Sequence, residues 1–175
     1  MFAEFLAAQT ESEVRHELFG GWVVEMAGGT PAHNLVATAA VAMLRPAARR
    51  SGCFVYAADA MLRVGDADAY YPDVMVVCSA EIGERFETSP CLIVEVLSPS
   101  THLVDRNTKR SAYSTIPSLT HYLLVSPDTF SVEAHTRLGH RWTRTVHELG
   151  DRISLSCPST DFTVDELFED LLRAT

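Results

Sequence analysis

The chain has 175 residues, 47% hydrophobic and 21% charged, which fits one domain (1–175) with a substantial core. Its formal net charge of −9 argues against a large non-specific nucleic-acid footprint, which needs a basic surface, but leaves room for a local basic groove. No stretch approaches the roughly 20 apolar residues of a membrane helix, and the acidic opening MFAEFLAAQTESE lacks the basic start of a signal peptide, so the expected location is cytoplasmic.

In chain order, residues 2–6 read as a short helix. Thr10 reads as the N-cap of a second turn, with Glu13 completing a capping-box pattern. ELFGGWVVEM, 17–26, is a hairpin signal with Gly20-Gly21 at its turn. GGTPAHN is a loop leading into the Ala- and Leu-rich helix LVATAAVAMLRPAARRSG, in which Pro46 should act as a kink or break and Gly52 as the end. Residues 53–64 are strand material, GDADAYY a turn, and Asp73 opens the strand that follows. EIGERFETSP is a polar loop.

The run from Cys91 to Leu97 consists of apolar residues interrupted once by Glu95, the pattern of a strand buried on both faces. Ser98 to Thr101 break it and start the helix HLVDRNTKRSAYSTI, with Pro117 beyond its end. HYLLVSP is another apolar strand. SVEAHTRL and RWTRTVHEL alternate in polarity, as half-exposed antiparallel strands do, and place His135 and His140 on an exposed hairpin. RISL is a short strand, and FTVDELFEDLLR an amphipathic helix with Val164, Leu167, Phe168, Leu171 and Leu172 on one face. The class is α+β, a mixed sheet flanked by helices, with antiparallel hairpins.

Glu95 is the anomaly that matters. A carboxylate in an apolar strand needs a cation, a partner or a proton, because burying it unpaired costs several kcal/mol. A buried Glu paired with a basic residue is the plain alternative to a functional one. Asp73 follows Tyr70, Tyr71 and Pro72, and is held at the mouth of its strand; alone it would pass for a strand-edge turn cap. Asp105, Lys109 and Tyr113 recur every four residues and share one helix face, either as an exposed salt pair with a packed tyrosine or as a stripe turned towards the carboxylates. Glu17 in the first strand pair ranks above His33, at the start of the long helix, as a further site residue. Cys53, Cys78, Cys91 and Cys157 form no CxxC pair. They read as free thiols in a reducing compartment, too widely spaced in sequence for zinc.

YPDVMVV, PCLIVEVLSPST, DRNTKRSAY and IPSLTHYLLV, with HELFGGWVVEM near the N-terminus, resemble the Uma-two family of restriction endonucleases, within the PD-(D/E)xK nuclease superfamily. The match runs from about Arg15 to Phe168. It implies a restriction-endonuclease-like core and an endonuclease that hydrolyses phosphodiester bonds in DNA with Mg²⁺ or Mn²⁺. In that reading Asp73, Glu95 and the Val96 carbonyl hold the ion, Lys109 orients the bound water and stabilises charge on the phosphorus, and Glu17 completes the metal shell or fixes Lys109. Asp105, Tyr113 and His33 support them. The superfamily lysine, two residues after the second acid, is replaced here by Leu97, and Lys109 takes its part. DNA is the implied partner and a homodimer the implied assembly. The alternatives are a catalytically inactive or partner-dependent binding protein of the same fold, and a hydrolase of another phosphorylated or acidic substrate.

Overall fold

The computed structural model describes residues 1–26, 28–79, 81–98 and 104–174. Helix α1 (Phe2–Glu11) runs through Thr10, whose Oγ1 donates to the Leu6 carbonyl at 2.8 Å. Thr10 therefore continues the helix and caps nothing, contrary to the sequence expectation. Strands β1 (His16–Phe19) and β2 (Trp22–Glu25) form the expected hairpin. Gly20 and Gly21 both take positive φ, +55° and +90°, as a tight primed turn requires.

Helix α2 (Pro31–Arg50) begins inside the expected loop, with Thr30 as N-cap and Pro31 in the first turn. It runs on through Pro46. Pro46 and Ala42, the residue whose carbonyl Pro46 leaves without a donor, are both exposed, so water can serve that carbonyl. The expected strand 53–64 divides where Ala58 takes a positive φ. Its parts are β3 (Phe54–Ala57) and β4 (Leu62–Val64), which join different sheets. GDADAYY is only half a turn, since its second half is β5 (Asp68–Tyr70). Next come β6 (Val74–Val77) and β7 (Pro90–Val96).

The expected strand break at Pro99–Thr101 and the helix start at His102 lie outside the described residues. From Val104 to Lys109 the chain is a π-helical stretch that passes into α3 (Arg110–Ser114). Then follow β8 (His121–Ser126), β9 (Ser131–Leu138), β10 (Arg141–His147), β11 (Arg152–Ser156), β12 (Ser159–Thr163) and α4 (Val164–Leu172). Strand β12 takes the first two residues of the expected C-terminal helix. A capping box between Thr163 and Glu166 sets the true start.

Six strands form one sheet in the order β10-β9-β8-β7-β6-β3, antiparallel except for the β7–β8 pair. On one face lie α2, α4 and the β11–β12 hairpin, packed on Val74, Val76, Leu92, Val94, Val96, Leu123 and Val125. On the other face Met75, Ile93, Tyr122 and Leu124 meet Leu62, Val64 and Tyr70 of the four-stranded sheet β2-β1-β5-β4, and Tyr113 and Ile116 near α3. Both faces are thus covered, which is why the sequence of β7 is apolar throughout except at Glu95, and why all its residues are buried. A third cluster docks α1, through Phe2 and Phe5, onto Leu18, Ala69 and Tyr71. Among the described residues no helix is long and apolar enough to cross a membrane.

Two expectations fail for the same reason, that partners distant in sequence meet in the sheet. The cysteines are not free: Cys53 pairs with Cys78 and Cys91 with Cys157, across 25 and 66 residues. His135 is not exposed either. Strand β9 lies inside the sheet, and His135 and Glu133 are buried with their rings and carboxyls facing the same way. Glu133 accepts from His135 Nε2 at 2.8 Å and from Arg144 at 2.8 Å, and pairs with Arg106. The Arg144 bond, with Arg106 and His135 and against the opposing effect of burial, holds the Glu133 carboxyl down at about 2.

A carboxyl depressed in the folded state contributes stability above its ordinary pKa and loses it as pH falls through the folded value. Glu133→Gln should cost about 1–2 kcal/mol at neutral pH, given that its arginine partners are partly exposed. Urea denaturation at a series of pH values should show this gap closing between about 4.5 and about 2. A gap that does not change with pH would show that the Glu133 charge contributes nothing.

Candidate active site

The antiparallel register of β6 and β7 pairs Val74 with Val94. Continued by one residue, it sets Asp73 across from Glu95, with both side chains on the face turned to the small sheet. Asp73 Oδ2 accepts the Val96 N–H at 2.7 Å, a ladder donor that would otherwise need another partner. The same oxygen meets His33 Nε2 at 3.1 Å. That bond, against burial and with the Asp73 and Asp105 charges, raises the His33 pKa. His33 stands in the first turn of α2, where its N–H donates to Thr30 Oγ1 at 3.2 Å. Gly29 makes room for its ring: a Cβ there would come within 2.9 Å of His33 Nδ1.

Glu95 Oε1 accepts from Tyr113 Oη at 2.8 Å and from Lys109 Nζ at 3.3 Å. Lys109 also lies 3.1 Å from Glu17 Oε1 and 3.5 Å from Asp105 Oδ1. The π-helical stretch preserves the stripe read from the sequence, with Asp105, Lys109 and Tyr113 all turned inward. The exposed salt-pair reading is thereby excluded. Burial alone would lower the Lys109 pKa, but Glu95, Glu17 and Asp105 outweigh it, and the ammonium stays charged. Burial raises the Glu95 carboxyl well above the usual range; Lys109 opposes this, while Asp73, Asp105 and Glu17 reinforce it. The Tyr113 hydroxyl, pushed up by burial and then by Glu95, remains a neutral donor.

These side chains open on one cavity of about 620 Å³, lined by Glu17, His33, Asp73, Glu95, Val96, Asp105 and Lys109. Seven of the eight residues singled out by sequence therefore line one cavity, and the eighth, Tyr113, reaches it through its hydrogen bond to Glu95. Sequence reasoning missed Tyr70 and Tyr71. The Tyr71 N–H donates to Glu17 Oε1 at 2.9 Å, and the Tyr70 ring lies 5.8 Å from Lys109 Nζ. Their position directly before Pro72-Asp73, with Tyr70 ending β5 rather than lying in the expected turn, was the available signal.

For a divalent ion the donor set is suitable. Among the described residues Asp73 Oδ1, Glu95 Oε2 and Glu17 Oε2 accept no hydrogen bond, because each partner above engages the other oxygen. No three acid or imidazole ligand atoms there gather within 4.8 Å of one another. Asp73 and Glu95 thus offer two carboxylate oxygens at the cavity, ligands of the kind Mg²⁺ takes together with water. Glu17 instead holds Lys109.

The family model described as "Putative restriction endonuclease", Uma2, matches residues 2–165, and the chain belongs to that family. Two proteins of Synechocystis sp., both described as uncharacterized, are similar. One is 30% identical over 172 residues, covering 96% of this chain and 90% of its own; the other is 30% identical over 159, covering 87% and 89%. A crystal structure described as a "putative nuclease belonging to DUF820", from Anabaena variabilis, superposes with a TM-score of 0.76 at 16% identity, covering 94% of this chain and 97% of its own. The restriction-endonuclease-like α+β fold is thereby established.

Lys109→Met would leave three buried acids without their cation and should cost about 3–5 kcal/mol in urea unfolding. Adding Glu95→Gln should recover part of the loss. A neutral Lys109→Met, or a double variant no better than the single, would show that these groups do not interact.

Proposed function

From that family membership and the opposed acids of β6 and β7, we propose that the chain is a metal-dependent endonuclease hydrolysing phosphodiester bonds in DNA. The observation that carries the reading is the placing of Asp73 opposite Glu95 at the cavity, each with one oxygen held by hydrogen bonds and the other, among the described residues, accepting none. Asp73, Glu95 and the Val96 carbonyl would hold Mg²⁺ or Mn²⁺. When bound, the ion supplies Lewis acidity to the scissile phosphate and acidifies a coordinated water.

The charges around the cavity explain why a cation belongs there. Even without Glu95, the lining acids Glu17, Glu25, Asp59, Asp73 and Asp105 outnumber Lys109 and His33, so a phosphodiester is repelled until the balance is changed. The protein's own groups then have separate tasks. His33 and the Val96 N–H hold Asp73 Oδ2 so that Oδ1 faces the substrate. Tyr113 and Lys109 hold Glu95 Oε1 so that Oε2 does the same. The ammonium of Lys109 has three donors and three acid partners. Exchange of its longest contact, to Asp105, for a phosphate oxygen would place positive charge on the developing phosphorane. The reading extends to a cytoplasmic homodimer, since two-fold symmetry suits the cutting of both strands.

The test is cleavage of supercoiled plasmid with Mg²⁺ or Mn²⁺ by wild type, Asp73→Asn and Glu95→Gln, with Mn²⁺ calorimetry alongside. Wild type should nick and linearise the plasmid, chelator should stop it, and each variant should lose on the order of 10²-fold or more in rate. Variants that cut like wild type would place the chemistry elsewhere. Metal binding without cleavage of DNA or RNA would favour a catalytically inactive binding protein, a reading that the acid partners of Lys109 and the −9 charge already support.

A further inference from the structure

Outside the acid cavity, one cluster of reactive side chains has no part in the proposed hydrolysis. Cys53 directly precedes β3, Cys78 directly follows β6, and Cys91 is the second residue of β7. These strands are neighbours and antiparallel, pairing Phe54 with Val77 and Val77 with Pro90, so the three cysteines meet at one end of the sheet. The turn between β11 and β12 brings Cys157 to the same place. The four sulphurs are not two separate pairs. Besides its own disulfide, Cys78 Sγ lies 3.3 Å from Cys157 Sγ and 3.6 Å from Cys91 Sγ. The sulphurs of Cys53, Cys78 and Cys157 all fall within 4.8 Å of one another.

Sulphurs bound at about 2.3 Å around a tetrahedral Zn²⁺ are about 3.8 Å apart. The contacts between the two disulfides are close to that edge length, so little movement would convert the four reduced sulphurs into a ligand set. Two independent staples would not need to touch. We propose that the reduced chain binds one Zn²⁺ through Cys53, Cys78, Cys91 and Cys157, as a closed structural site. A dithiol reductant gives two electrons and two protons to each disulfide and is itself oxidised to a disulfide. The zinc then displaces the four thiol protons. Bound there, the ion ties β3, β6 and β7 to the hairpin that leads into α4, as the disulfides do in the oxidised form. Cys91 lies four residues before Glu95 in β7, about 13 Å along the strand, so this site is separate from the acid cavity. Cys78 is exposed, which gives the ion a way in.

The experiment uses the full chain, reduced with dithiothreitol, desalted under argon and titrated with Co²⁺ and then Zn²⁺. In wild type the intense visible bands of tetrahedral thiolate ligation should saturate at one Co²⁺ in the cysteine site, and Zn²⁺ should bleach them. Cys78→Ser and Cys157→Ser should each weaken Zn²⁺ binding by about tenfold or more. Asp73→Asn, in the acid cavity, should leave the cobalt–thiolate bands and their bleaching by Zn²⁺ unchanged. Reduced wild type with four titratable thiols and no cobalt–thiolate band would overturn the proposal without reliance on any variant. Serine variants that bind as tightly as wild type would overturn it too.

Discussion

The ammonium of Lys109, buried among Glu17, Glu95 and Asp105, is the interaction on which the arrangement depends. A lysine in an apolar interior is costly, and so is each of the acids. Together they are tolerated, because each Coulombic attraction acts over little more than 3 Å where water is scarce. The three acids come from β1, β7 and the π-helical stretch, so a single charge fixes the relation of the small sheet, the large sheet and the helix between β7 and β8. Tyr113 adds a neutral donor to the same Glu95 oxygen, and its ring packs edge-on against Tyr70 and Tyr122. The aromatic wall keeps the dielectric low where the charges meet.

The acids of β6 and β7 were legible because local chemistry marked them. Glu95 stands between apolar neighbours, and Asp73 follows a proline that restricts the chain before it. The Asp105, Lys109, Tyr113 stripe was legible because four-residue spacing keeps side chains on one face even where the helix is wound wider than α. The hairpin at Gly20-Gly21 was marked by the need for positive φ. In each case the cause lies within a few residues of the effect.

What was not legible depends on long-range pairing. Glu133 and His135 look like alternate residues of an exposed hairpin, and only the place of β9 inside the sheet buries them. Nothing near Glu133 in sequence announces Arg106, 27 residues before it. The cysteines carry no spacing motif because β-strand neighbours, not a knuckle or a helix turn, bring them together. Tyr70 was read as turn material because Gly65 and the Asp-rich run before it dominate the local signal, although the chain pairs again from Asp68.

The places of Leu97 and Lys109 around Glu95 follow from the two-residue period of a strand and from the helix above it. Ile93, Glu95 and Leu97 turn to the same side, and Leu97 packs in the apolar cluster with Tyr113 and Ile116. A lysine at 97 would reach towards Glu95 from the end of β7. A lysine at 109 reaches the same carboxylate from above, carried by the helix whose Tyr113 packs beside Leu97. The positive charge beside Glu95 is thus carried by the helix layer, and the end of β7 is apolar. Lys109 is enclosed by three carboxylates that set its charge and its direction. Any role it takes towards a substrate must then run through the loosening of one of those contacts, which couples substrate approach to the packing of the helix itself.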